Sequence, residues 1–247
     1  MFEYAYNTTT IHLIPQPSDL ALNPPESYLL IQDFLIISCG VLYALCYMFY
    51  MTRTFSDRYC AGTPLYLSLT MAYELYYAIV MTSSKFEFAS FLVWFLMDAS
   101  LASIAIWKAY AREKRGRMVQ QLAGGVLVGI GVLRVLGAVW PDEREQVTAY
   151  WTGLVLQVPI SWGSLILLLQ RGDTKGQSLE IWITRYLGCY TAYGVFVWRY
   201  LNAPQNWAYV GSWWSWGIIL ITLLPETVYP FVYVWAYGQE KGKVKNA

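Results

Sequence analysis

The chain has 247 residues, 57% of them hydrophobic and 17% aromatic, with only 13% charged and a formal net charge of +1. A soluble domain carries about 25% charged residues, so too little charge is present to build a water-facing surface, which excludes a soluble enzyme, a nucleic-acid binder and a disordered chain. A polytopic membrane protein remains, and its long unbroken apolar runs, without ten-residue alternations, select helices over a barrel.

In chain order, residues 1–27 form a polar tail holding the only histidine, His12, and the glycosylation sequon Asn7-Thr8-Thr9. The tail has no Lys or Arg, so the basic start of a cleaved signal peptide is missing and the first apolar helix is expected to serve as its own insertion signal. Apolar segments of spanning length follow at roughly 28–50, 64–82, 86–107, 118–140, 147–170, 180–202 and 210–237. The fold class read from them is all-α: a single seven-transmembrane-helix bundle over 28–237, followed by a basic tail at 238–247. No internal repeat is visible, which argues against duplicated three-helix halves. Cys39, Cys46, Cys60 and Cys189 have no CxxC spacing, so neither a disulfide framework nor a zinc site is supported.

Lys and Arg sort by loop. Arg53 and Arg58 follow the first segment, Lys108, Arg112, Lys114, Arg115 and Arg117 the third, Arg171 and Lys175 the fifth, and Lys241, Lys243 and Lys245 the last. The opposite side has only Lys85 and Arg144. By the positive-inside rule the C-terminus is cytosolic and the N-terminus lumenal or outside, where the sequon is permitted.

Beyond the first two residues of each segment, seven charged residues fall inside: Asp33, Glu74, Asp98, Arg134, Arg185, Arg199 and Glu226. Each costs roughly 2.5–3.5 kcal/mol at the bilayer centre on the insertion scale unless pairing, water or function offsets it. Asp33, Arg185 and Arg199 lie near segment ends, where snorkelling, capping or a structural ion pair accounts for them. Arg134 is deeper, and Asp98 is its expected partner.

Glu74 and Glu226 lie at mid-depth in the second and seventh segments, each with a tyrosine at i+3, Tyr77 and Tyr229, on the same helix face. Pro225 and Pro230 remove backbone donors and free carbonyls beside Glu226. A carboxyl in apolar surroundings favours its neutral form, which suits a general acid. Two acids at matched depth favour chemistry over structure, and one cavity is expected to receive both.

Many of the 21 Tyr and 12 Trp sit near segment ends as an interfacial belt, among them Trp140, Trp151, Trp207, Trp213 and Trp214. Tyr73, Tyr77, Trp94 and Tyr229 lie deeper and are candidates to line a pocket, where a ring face stabilises a passing cation by about 0.5–2 kcal/mol.

The pattern around the acids resembles the small membrane-bound terpene cyclases of fungal meroterpenoid and indole-diterpene pathways, the paxilline-type and pyripyropene-type cyclases. The matching pieces are Asp33, the run from Arg58-Tyr59 to Pro64, Tyr73-Glu74 where the family shows Trp-Glu, Lys175-Gly176-Gln177-Ser178 with Trp182, Arg185-Tyr186-Leu187-Gly188, and Arg199-Tyr200. In the seventh segment Glu226, Tyr229 and Tyr233 occupy a frame in which the family has Asp, Tyr and Tyr. The extra methylene of Glu226 moves the acid by about an ångström.

The resemblance implies an integral membrane enzyme of the endoplasmic reticulum, acting without metal or cofactor on a hydrophobic epoxidised prenylated substrate. Glu74 and Glu226 would serve as its acid/base pair, and Tyr73, Tyr77, Trp94, Asp98, Tyr229, Tyr233 and Arg199 would line its pocket. Such a substrate partitions into the bilayer, and opening its epoxide by protonation gives a tertiary cation that chain alkenes attack in turn. The enzyme must supply a neutral acid, exclude water and hold the chain folded. DDxxD and DxDD are both missing, which argues against metal-assisted diphosphate loss and against the soluble protonation-initiated cyclases. Asp142-Glu143-Arg144-Glu145 is expected to be a solvated loop cluster.

Other seven-helix classes fit less well. The last segment has no lysine for a retinal Schiff base, and Asp57-Arg58-Tyr59 follows the first segment where a hormone receptor carries it after the third. Pro15-Gln16 and Pro204-Gln205 lie outside the helices where a small sugar transporter carries Pro-Gln inside them. Proton-coupled transport is the alternative reading of the buried acids.

Overall fold

A computed structural model describes residues 12–62, 64–82, 84–141 and 146–245. The sequon at Asn7 and the cluster Asp142–Glu145 lie outside the described residues. The chain runs through a short helix α1 (Pro17–Leu20), then α2 (Glu26–Asp57), α3 (Pro64–Ile79), α4 (Lys85–Ala109), α5 (Arg112–Val139), α6 (Val147–Arg171), α7 (Leu179–Asn202), a 3₁₀ turn (Ala208–Gly211) and α8 (Trp213–Lys245).

Local chemistry sets the helix ends. The Ser84 hydroxyl accepts from the Glu87 amide at 3.1 Å to start α4, and Ser178 accepts from Ile181 at 3.3 Å to start α7. Gly172, at φ 59°, closes α6 with its N–H on the Leu168 carbonyl.

Among the described residues five helices, α2, α4, α5, α6 and α8, are long and apolar enough to cross a membrane. The protein is an all-α, polytopic membrane protein. α3 has 16 residues, about 24 Å of rise against a hydrocarbon core of about 30 Å. α7 carries Glu180, Arg185 and Arg199 among its apolar residues.

Packing joins α2 to α4, α4 to α3, α3 to α6, α6 to α8, α8 to α7 and α7 back to α2, a closed ring of six helices. α5 lies outside the ring against α3 and α4. Outward positions are apolar: Phe34, Leu127, Leu220 and Phe231 are each more than 60% exposed on the outer faces, as a lipid-facing surface requires.

Glycines bring α5 onto α3. A Cβ at Gly129 would stand 2.6 Å from the Ala72 Cβ, and one at Gly125 would strike the Ser68 side chain. Small residues at this spacing allow close helix approach where no hydrophobic force acts between helices. Gly124, one position away, has nothing within 4 Å. Gly129→Leu is therefore expected to cost about 1–3 kcal/mol through overpacking and to detach α5, while Gly124→Leu is neutral. Cysteine cross-linking between α3 and α5 in membranes would read this directly.

The same geometry corrects two expectations. Leu133 is buried as the next step of the face begun by Gly125 and Gly129, which leaves Arg134 exposed and turned away from Asp98. Trp207 is fully buried and donates to Asp19 at 2.9 Å, so it does not belong to the interfacial belt. Trp213 and Trp214 are highly exposed, at 93% and 79%, as belt residues should be.

Residues 12–20 fold over one end of the ring. Asp19 also accepts from the Tyr28 hydroxyl at 2.6 Å, and Asp33 accepts from His12 Nδ1 at 2.7 Å and the Leu13 amide at 3.1 Å. Arg199 belongs to this layer. Its Nε donates to Gln32 at 2.8 Å, its guanidinium lies 4.7 Å from the Trp207 ring centre, and it is buried.

Candidate active site

The buried acids divide into two constellations. In one, Glu74 on α3 and Asp98 on α4 lie within hydrogen-bonding reach of each other and of the Tyr47 hydroxyl on α2. Thr70, one turn before Glu74, donates its hydroxyl to Asp98 Oδ2. Both acids are buried, and Glu74 Oε2 and Asp98 Oδ1 have no hydrogen-bond partner among the described residues. Asp98 thus meets Glu74 and Thr70 where the sequence suggested Arg134.

In the other, Glu226 on α8 is gripped by Arg185 on α7. Arg185 Nε lies 2.8 Å from Oε1, and Nη2 lies 2.9 Å from Oε2. Both side chains are almost wholly buried, at 2% and 0% of their surface. The remaining guanidinium nitrogen donates to the Tyr50 hydroxyl at 2.6 Å, so each nitrogen of this planar fork orients either the carboxyl or the phenol. Both Glu226 oxygens thus face a guanidinium, where the sequence suggested apolar surroundings.

The prolines shape this second site. Pro230 has no N–H for the Glu226 carbonyl, and Pro225 has none for Ile221. Both carbonyls are met by indoles: Trp182 Nε1 donates to the Glu226 carbonyl at 2.7 Å and Trp162 Nε1 to Ile221 at 3.0 Å. An orphaned backbone acceptor in an apolar interior is costly, so these tryptophans fix the segment that carries Glu226.

α2 links the two constellations. Tyr47 faces Glu74 and Asp98, and Tyr50 faces Arg185. Three residues of helix separate them, about 4.5 Å of rise. Cys39, Tyr43, Tyr47 and Tyr50 follow one another at helical spacing along this face. All four keep some accessible surface. The Tyr43 hydroxyl pairs with Cys189 Sγ of α7 at 3.3 Å. This stripe was missed from sequence, although its spacing was there to be read.

The remaining candidates scatter. Tyr73, Tyr77 and Trp94 join Phe91 in an aromatic cluster beside Glu74, with Tyr73 and Tyr77 centroids 4.6 Å apart and Phe91 5.7 Å from Trp94. Tyr229 lies beneath Arg185 at 5.5 Å and donates its hydroxyl to Gln177 Oε1 at 2.8 Å. Tyr233 stacks on Tyr229 at 6.1 Å, one turn further along α8. Arg199 is fourteen residues from Arg185 on α7, about 21 Å along the axis, and sits in the layer formed by residues 12–20.

The all-α membrane protein thus combines paired carboxyls, a buried Arg–Glu fork and clustered aromatic rings. The family of Pyr4-like transmembrane terpene cyclases matches residues 18–239, and the chain belongs to it. Pyr4-family terpene cyclase mfmH of Annulohypoxylon moriforme is 31% identical over 244 residues, spanning 96% of this chain and 99% of its own. Terpene cyclase macJ of Penicillium terrestre is 31% identical over 210 residues, 82% of this chain and 80% of its own. Terpene cyclase ascF of Acremonium egyptiacum is 26% identical over 224 residues, with the same two shares. No solved structure matches the chain. The protein is therefore a cyclase-type enzyme of an integral membrane family.

Proposed function

We propose that the chain protonates the epoxide of a prenylated meroterpenoid or indole-diterpene precursor and guides its polycyclisation, with Glu74 as acid and Glu226 as its anionic counterpart. The observation that carries this assignment is the unequal pairing of the two acids. Glu226 is committed to Arg185 through both oxygens, whereas Glu74 meets Asp98 and Tyr47 and, among the described residues, no basic group. A neutral carboxyl without a basic partner gives up its proton to the epoxide oxygen. The charge-paired carboxylate across α2 stabilises the cation that forms and draws the final proton. Aromatic faces at Tyr73, Tyr77 and Trp94 shield the cation, and no metal or cofactor takes part.

In this reading α3 and α7 join the five apolar helices as further spans, because their polar groups meet protein inside the ring. Seven spans then put the basic loops on the cytosolic side and the N-terminus in the lumen of the endoplasmic reticulum. Residues 28–237 form the cyclase domain, with 1–27 lumenal and 238–247 cytosolic.

The test is to feed microsomes containing the chain a panel of farnesylated and geranylgeranylated substrates, with and without the terminal epoxide. Cyclic product, identified by mass spectrometry and NMR, is expected from an epoxide and not from its alkene parent. Cyclisation of the alkene alone would refute epoxide protonation.

A further inference from the structure

Asp98 contacts Glu74 from a different helix, and among the described residues no group of opposite charge pairs with either. From α2 it meets the Tyr47 hydroxyl and from α3 the Thr70 hydroxyl. Arg134 on the neighbouring α5 is exposed and turned outward. Two carboxylates in contact in an apolar interior repel strongly, and no described cation compensates them. Each carboxyl also keeps one buried oxygen without a partner, Glu74 Oε2 and Asp98 Oδ1. The single Thr70 hydroxyl proton is shared between Asp98 Oδ2 and the Leu67 carbonyl at 3.0 Å, which leaves Oδ1 as the Asp98 oxygen without a partner among the described residues.

We propose that Asp98 is a positioning residue for the proton that Glu74 delivers: the two carboxyls rest as a neutral hydrogen-bonded pair, and the Asp98 O–H turns onto Glu74 as its proton leaves. The proposal deepens the assignment of Glu74 as acid and rests on it. As the Glu74 O–H bond breaks, a new O–H bond forms on the epoxide oxygen. The epoxide C–O bond then cleaves with its electron pair going to oxygen, leaving a hydroxyl and a tertiary cation. The anion on Glu74 is received by a hydrogen bond from Asp98, so the pair carries one negative charge at that stage and never two. The proton lost from the last cation goes to the Glu226 carboxylate, which passes it to water while Glu74 takes one back from water before the next turnover, and nothing is oxidised or reduced. Tyr47, in reach of both carboxyls, holds their relative orientation.

Two measurements on the full-length chain in membranes test this. Infrared spectra in water and deuterium oxide at neutral pH should show a protonated-carboxyl stretch that is lost in Asp98→Asn and a second that is lost in Glu74→Gln. In turnover, Asp98→Asn keeps a donor and should hold kcat within about tenfold, whereas Asp98→Ala should lower kcat by about a hundredfold or more with KM little changed. Ionised Asp98 in the infrared spectrum would overturn the proposal. So would unimpaired turnover by Asp98→Ala, or equal inactivation of the Asn and Ala variants at normal insertion. If Asp98→Ala fails to insert, the spectra of the unmodified chain and Asp98→Asn decide. Those spectra need no substrate, so they judge the pair separately from the assignment of Glu74, which falls if Glu74→Gln still cyclises.

Discussion

Glu74→Gln is expected to reduce cyclisation by about 10²–10⁴-fold, the usual range for loss of a general acid, while membrane insertion stays normal. The amide matches the carboxyl in size, keeps a partner for Tyr47 and Asp98, and adds no charge to a site whose described neighbours are a carboxyl and a phenol. What it removes is a transferable proton. Because the loss acts on the chemical step, kcat should fall with KM nearly unchanged. Product formation from an epoxidised substrate in microsomes, normalised to inserted protein, is the measurement. Undiminished product would remove Glu74 from the mechanism and leave the Arg185–Glu226 fork as the reacting centre.

The sequence was most legible where lipid imposes the pattern. Unbroken apolar runs located the helices from α2 to α8 to within a few residues at most ends, although α2 reaches from Glu26 to Asp57 and so extends past its apolar run. Pairing among buried charges was less legible because depth can be counted along a helix, but facing depends on the neighbour. Asp98 and Arg134 looked like partners by sign alone. The spacing Gly125, Gly129, Leu133 already marks the face of α5 that meets α3, and Arg134 falls beside it. The α2 stripe of Tyr43, Tyr47 and Tyr50 was likewise present as a period, hidden by the many tyrosines that serve elsewhere. The bonds from Asp19 to Trp207 and from Asp33 to His12 had no such signal. They join an irregular segment to distant positions, and no repeat encodes them.

Arg185→Met is expected to be the most damaging single change to stability. Its guanidinium makes three hydrogen bonds of 2.6–2.9 Å, two to Glu226 and one to Tyr50, at a site closed to solvent. Removing one partner of a buried ion pair costs about 3–5 kcal/mol, because the stranded charge has no water to turn to. Glu226→Gln alone strands the guanidinium in the same way, though Tyr50 and an amide oxygen still accept from it. The double variant Arg185→Met with Glu226→Gln leaves no charge behind and should recover most of the loss, as neutral replacements of buried pairs do. Thermal aggregation of the detergent-solubilised chain can separate the two contributions. Recovery of stability without cyclisation would mean that the fork is kept for its carboxylate and not for its strength. Glu226→Asp then refines the point: it retains the charge but shortens the reach to Arg185, so a stable protein with an altered product ratio would tie the placement of that carboxylate to the course of the cation. A double variant as unstable as Arg185→Met would instead assign the loss to Tyr50 and the packing of α7 against α8.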